Sequence, residues 1–147
     1  MTVKKKVVKK KPKGLKYYIN KMDKYFHRYI RLRDTDENGI GRCITCDVTL
    51  DFKRTQCGHL ISRAKKSVRW DERNAYSQCS KCNCWGCGEQ LKMALKVGLP
   101  LAKKMLKLSE KPWKTTISEY EVLIDYWKKK CEHEESKKVW HNPCNSK

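Results

Sequence analysis

Apolar residues Leu15, Tyr18, Ile19, Met22, Phe26, Tyr29 and Ile30 recur at three- and four-residue intervals, the spacing of one helical face, and predict a helix from Leu15 to about Arg33. Lys and Arg fill its other face. His27 lies beside the stripe, where packing or exposure is the usual role of an isolated histidine, so it is left out of the candidate site. The periodicity stops at Asp34-Thr35-Asp36-Glu37-Asn38-Gly39, which matches the opening half of an EF-hand loop. Its twelfth position would be Thr45, where a bidentate Glu is needed, so the stretch reads as a helix-ending turn. Residues from about Ile40 to Ile61 are short, turn-rich and β-compatible. From Cys82 to Val97 the pattern becomes helical, with Leu91, Met93 and Leu95 as its apolar positions. This strand-strand-helix order places the chain in the α+β class. A further helix around Leu101 to Leu108 follows Pro100. Thr116 and Glu119 have the spacing of a capping box and announce a last one, with Ile117, Tyr120, Leu123, Ile124 and Trp127 as its stripe.

The charge balance changes the picture from fold to partner. The 147 residues carry 35 Lys plus Arg against 16 Asp plus Glu, a formal charge of +19. Such an excess gains binding free energy by releasing the counterions condensed on a phosphate backbone, so nucleic acid is the expected partner. The length suits one domain, assigned to 17–131. Residues 1–16, with eight basic side chains and no acid, are expected to be a disordered basic arm that follows DNA phosphates, and 132–147 a polar tail. No apolar run is long enough to span a bilayer, and the N-terminus lacks the apolar stretch of a secretory signal, which points to the cytoplasm.

Nine cysteines in such a chain read as metal ligands rather than disulfides. Cys43 and Cys46 are spaced as a knuckle, and Cys79 and Cys82 repeat the spacing thirty-two residues further on. Two such knuckles supply four thiolates to one structural zinc and pin the loop between them. Cys57, Cys84 and Cys87 leave a second or shifted zinc open. Cys131 and Cys144 need only ordinary burial or exposure.

Within and just beyond the pinned loop stand His59, Asn74 and Asn83. Their order relative to the cysteine pairs resembles the His-Asn-His nuclease motif in its cysteine-supported form. That resemblance implies a small zinc-stabilised ββα-metal core flanked by N- and C-terminal helices. It also implies that His59 is the general base, that Asn74 orients it, and that Asn83 is an oxygen ligand to one catalytic magnesium or manganese ion. The motif commonly has a metal-binding Asp or His just before the histidine, and here that residue is Gly58. Asp71 and Glu72, the nearest acids upstream of Asn74, are the candidate replacements. Arg63, Lys65, Lys66, Arg69 and Arg73 surround the base as candidate phosphate contacts. Trp70 among them is a stacking candidate, although burial in the core is its commoner role.

Tyr29-Ile-Arg-Leu-Arg-Asp34, the Cys43 pair, Cys57-Gly-His-Leu-Ile-Ser-Arg63, Arg69-Trp-Asp-Glu-Arg-Asn74 and Gln78-Cys-Ser-Lys-Cys-Asn83 occur in that order. Over about Leu15 to Lys130 the chain therefore resembles the NinG (Rap) family of phage recombination endonucleases, departing from it at Cys84-Trp-Gly-Cys87. The resemblance implies cleavage of branched DNA such as D-loops and Holliday-type junctions in a bacterial host cell, beside phage recombination proteins. A symmetric junction suits a homodimer, although no sustained coiled-coil pattern specifies one. The residues alone reach a metal-dependent phosphodiesterase on a basic scaffold. The competing expectation is a non-catalytic, zinc-dependent DNA- or RNA-binding adaptor, for which Gly58 is the main argument.

Overall fold

The computed structural model describes residues 13–139. Most of the basic arm, and the tail beyond Val139 with Cys144, lie outside them. Helix α1 runs over Leu15–Arg33, so its first turn takes in the last two residues assigned to the arm. Of its predicted stripe Met22, Phe26, Tyr29 and Ile30 are buried and Tyr18 and Ile19 half-buried, whereas Leu15 is exposed; Leu32, outside the stripe, is buried with them. Helix α5, Ile117–Ser136, lies along it. The expected capping box is formed, with Thr116 Oγ1 accepting from the Glu119 N–H at 3.3 Å and the Thr116 N–H donating to Glu119 Oε2 at 2.7 Å. Tyr120, Ile124, Trp127 and Cys131 are its buried face, and Trp127 meets Phe26 edge-on at 4.8 Å between ring centroids. Each fully buried side chain of this size contributes about 1.5–3 kcal/mol of transfer free energy. Residues Glu132–Ser136 continue the helix rather than fraying, with Glu135 paired to Arg28 of α1.

The segment after α1 closes as a turn. Asp36 Oδ1 accepts from the N–H groups of Asn38 and Ile40 at 2.9 and 2.8 Å, which orders the loop. Strands β1 (Ile40–Arg42) and β2 (Thr49–Asp51) form one antiparallel pair. Strands β3 (Gln56–His59) and β4 (Ala75–Gln78) form a second, with Cys57 opposite Ser77 and His59 opposite Ala75. The long β3–β4 connection contains the short helix α2, Lys66–Arg69.

After β4, residues Lys81–Trp85 form a wide turn of π-helix, and helix α3 begins only at Gln90, later than the pattern predicted. Left-handed backbone at Cys87, Gly88 and Glu89 (φ 51°, 88° and 49°) separates the two. Of the apolar positions assigned to this helix only Met93 is buried. Leu91 and Leu95 are 74% and 63% exposed, because α3 packs by one narrow edge against Leu60 and Met105. Helix α4, Leu99–Ser109, carries Pro100 in its first turn, where the missing N–H has no intrahelical partner to lose. The whole is a mixed α+β fold with two small sheets. No helix among the described residues is long and apolar enough to cross a membrane.

Candidate active site and metal centre

Two features converge at the end of β4. The first is a cysteine cluster. The turn joining β1 to β2 is tightened by the Cys43 N–H donating to Val48 O at 3.0 Å and the Asp47 N–H to Cys43 O at 2.9 Å. It carries Cys43 and Cys46, and the Ile44 N–H donates to Ser77 O at 2.9 Å, docking this knuckle on β4. There Cys79 and Cys82 complete the set, with all four sulfur atoms within 4.8 Å of one another. Cys46 and Cys79 Sγ are 3.8 Å apart, far beyond a disulfide bond and equal to the roughly 3.8 Å edge of a tetrahedron with Zn–S bonds of about 2.3 Å. The Cys82 N–H points at Cys79 Sγ from 3.4 Å. Backbone N–H groups around Cys43 lower its thiol despite burial, whereas burial and the neighbouring sulfurs raise Cys82, so in the absence of a metal the four thiols do not all ionise together. The cluster fits a structural zinc.

The second feature is a cleft of about 500 Å³ lined by α1, β3 and the turn after β4. His59, at the end of β3, is buried, and its Nε2 lies 3.0 Å from the carbonyl oxygen of Arg69. A carbonyl only accepts, so Nε2 carries the proton and Nδ1 keeps a free lone pair. Burial, with His27 and Arg63 nearby, depresses the His59 imidazolium to about pKa 4. The Arg69 carbonyl is itself fixed. The Arg69 guanidinium clamps Asp23 of α1, with Nε donating to Oδ1 at 2.9 Å, and donates to Arg63 O at 2.9 Å. Trp70 Nε1 donates to the same carboxylate at 2.8 Å. Asn74 is fully buried and pins the loop from inside. Its Oδ1 accepts from the Ile61 N–H at 2.8 Å, and its Nδ2 donates to Ile61 O and Val68 O at 3.1 and 2.9 Å. Asn83 reaches the cleft from the turn, where Nδ2 donates to Gln56 Oε1 at 2.9 Å and leaves Oδ1 as an available ligand.

A family model described as Bacteriophage Lambda NinG protein matches residues 2–137. The chain belongs to the NinG family. No curated protein and no solved structure matches it.

In this NinG chain the glycine before the candidate base has a packing cause. Successive strand residues face opposite ways, and a Cβ on Gly58 would lie 1.9 Å from Gln78 Oε1. Gln78 cannot easily yield, because it is fully buried and donates to Thr45 Oγ1 and Gly88 O at 2.6 and 2.9 Å. A ligand side chain at position 58 is therefore incompatible with this packing.

The acids assigned to replace it are elsewhere. Asp71 caps the turn before β4 and pairs with Arg73 at 2.6 Å. Glu72 accepts from Tyr29 Oη at 2.6 Å and pairs with Lys130. Neither lines the cleft that holds His59 and Asn83. Of the predicted phosphate contacts, Arg63 is exposed and lines the cleft, and Lys65 is exposed. Lys66 is half-buried. Arg69 is spent on Asp23, and Arg73 is held by Asp71. Trp70 is buried in the core.

Two residues outside the predicted site stand at or next to the cleft. His27 lines the cleft from α1, with its ring 5.4 Å from that of His59. The signal was its place one helical turn after Asp23, on a shared face. Trp85, in the segment that departs from the family pattern, is 84% exposed beside cleft residues Cys84 and Cys87. Cys84 and Cys87 are exposed and stand apart from the four-cysteine cluster.

Proposed function

We propose that this NinG-family chain is a metal-dependent endonuclease that hydrolyses phosphodiester bonds in branched DNA, with His59 as general base. The observation that carries the reading is the fixed tautomer of His59, whose unprotonated Nδ1 is available in a basic cleft that also holds the free amide oxygen of Asn83. The β3–β4 hairpin, its long connection and the helix after it would then be the ββα-metal core. Asn83 Oδ1 would contribute one oxygen ligand to a magnesium or manganese ion, with substrate phosphate and water supplying the others in place of the carboxylates such an ion usually takes. When bound, that ion supplies positive charge to the phosphate and the departing oxygen. His59 Nδ1 takes a proton from water as the water oxygen bonds to phosphorus. The bond from phosphorus to one sugar oxygen breaks, and that oxygen leaves with a proton from solvent. Asn74 acts at a distance by holding the loop that presents the Arg69 carbonyl to Nε2. Arg63 and Arg31 face the phosphates.

Branched substrates are favoured by family membership and by Trp85, a solvent-exposed ring between the cleft residues Cys84 and Cys87 in sequence. Cleavage of end-labelled duplex, flap, D-loop and four-way substrates, with magnesium, manganese or chelator, tests the reading. The expected result is metal-dependent nicking confined to branched forms. Stacking on an unpaired base is worth about 1–3 kcal/mol, so Trp85→Ala should weaken gel-shift affinity for a flap or junction by that amount and leave duplex affinity unchanged. Equal losses on all substrates would remove Trp85 from branch recognition.

One observation favours a second reading. No carboxylate lines the cleft among the described residues, which suits a non-catalytic zinc-dependent nucleic-acid adaptor. Tight junction binding without cleavage under any divalent metal would establish it.

A further inference from the structure

We propose that His27, Cys57 and His59 form a second metal site, distinct from the four-cysteine cluster, that takes zinc or a comparable borderline-soft divalent cation at the back of the cleft. The ligating atoms of the three residues lie within 4.8 Å of one another, although no sequence motif links them. Strand alternation turns Cys57 and His59 to the same face of β3, and α1 brings His27 over that face. All three ligands are unspent. His27 Nε2 is buried without a hydrogen-bond partner. His59 Nδ1 is left free by the bond from Nε2 to the Arg69 carbonyl. Cys57 Sγ lies in the cleft without a hydrogen bond.

Two imidazoles and a thiol suit zinc, cobalt or nickel, whereas magnesium demands oxygen ligands. Tetrahedral ligands lie about 3.3–3.8 Å apart, so the three atoms, within 4.8 Å of one another, would draw together on binding. The Arg31 and Arg63 guanidiniums along the cleft oppose a dication, so binding needs the Cys57 thiol to release its proton to solvent and contribute a thiolate. The fourth position opens on the cleft. Metal binding here and general-base catalysis use the same nitrogen of His59 and exclude one another. That consequence rests on the base assignment above, whereas the metal site does not.

Titrating the full chain with Co²⁺, after its four-cysteine cluster has been filled with one equivalent of zinc, decides the matter. The expected result is a second equivalent whose charge-transfer absorption reports one thiolate rather than four. Cys57→Ser removes that absorption, and His27→Gln weakens the second equivalent by roughly tenfold or more while zinc content and circular dichroism stay native. The absence of a second equivalent in the wild type, which needs no variant to fold, overturns the proposal. So does a second equivalent indifferent to both substitutions. In cleavage assays with magnesium, filling the second site should suppress nicking. Undiminished nicking alongside the expected cobalt spectra would refute the base role of His59 and leave the metal site standing, and an inactive protein would leave the cobalt result decisive.

Discussion

His59→Gln is expected to lower single-turnover cleavage of branched DNA by roughly two to four orders of magnitude, the range for loss of a general base, while leaving DNA binding intact. Glutamine is the informative replacement. Alanine leaves the half-buried Arg69 carbonyl without its donor, which mixes a stability loss with a chemical one. The glutamine amide can still donate to that carbonyl but cannot take a proton from water. The pH profile gives an independent check. Burial first, then the neighbouring His27 and Arg63, lowers His59 to about pKa 4, so the active neutral form persists well below the ordinary histidine range. The acid limb of kcat/KM should therefore fall near pH 4, with activity level between roughly pH 5 and 8. Bound DNA phosphate favours the imidazolium, so the limb in kcat should sit at higher pH than that in kcat/KM. Stability follows the same sign. His27 and His59 are both lowered to about 4 by burial, so below the unfolded value near 6.5 the unfolded chain binds more protons than the folded one. Their contribution is complete above about pH 6.5 and is lost as pH falls toward 4. A cleavage rate in His59→Gln equal to that of the wild type would eliminate this histidine as the base.

The helices were legible because their apolar positions repeat at the helical period and because Thr116 and Glu119 mark a start. The four-cysteine cluster was legible because its members come as two local pairs, each a turn whose spacing is visible in the chain. The cleft was only half legible. His59, Asn74 and Asn83 lie in ordered motifs, but His27 reaches them through the packing of α1 on β3, and nothing local in the sequence encodes that docking. Asp71, Glu72, Arg69 and Arg73 were assigned by nearness in sequence; Arg69 and Glu72 pair with Asp23, Tyr29 and Lys130, partners that only the fold supplies, while Asp71 and Arg73 pair with each other across a local turn. Gly58 had the opposite fate. Its meaning lay twenty residues away in Gln78, whose buried amide occupies the space a side chain would need. Leu91 and Leu95 fit a helical period that the fold does not use for burial.

Removing zinc is expected to unfold the region around β1, β2 and the end of β4 while α1 and α5 stay associated. Structural zinc of this class contributes on the order of 10 kcal/mol, as much as the whole stability of a typical domain. The part of the chain that depends on it has little else. The cluster of buried residues there is Cys43, Leu50, Cys79 and Cys82, so three of its four members are the candidate ligands. The α1–α5 interface, by contrast, has its own aromatic core of Phe26, Tyr29, Tyr120 and Trp127. A chelator should therefore produce a melt in two steps, with the near-ultraviolet signal of the helix-packed tryptophans surviving the first. Cys43→Ser, at a fully buried corner of the cluster, should mimic chelation more completely than Cys46→Ser at its exposed edge. The loss should reach the cleft as well, because Asn83 follows ligand Cys82 directly and its N–H donates to Cys79 O at 2.9 Å. Activity lost to a chelator should return only when zinc and magnesium are both restored, whereas an ion needed only in the cleft would be replaced by magnesium alone. An unchanged melt in metal-free protein would show that the four thiols hold their places by packing and that the fold owes zinc nothing.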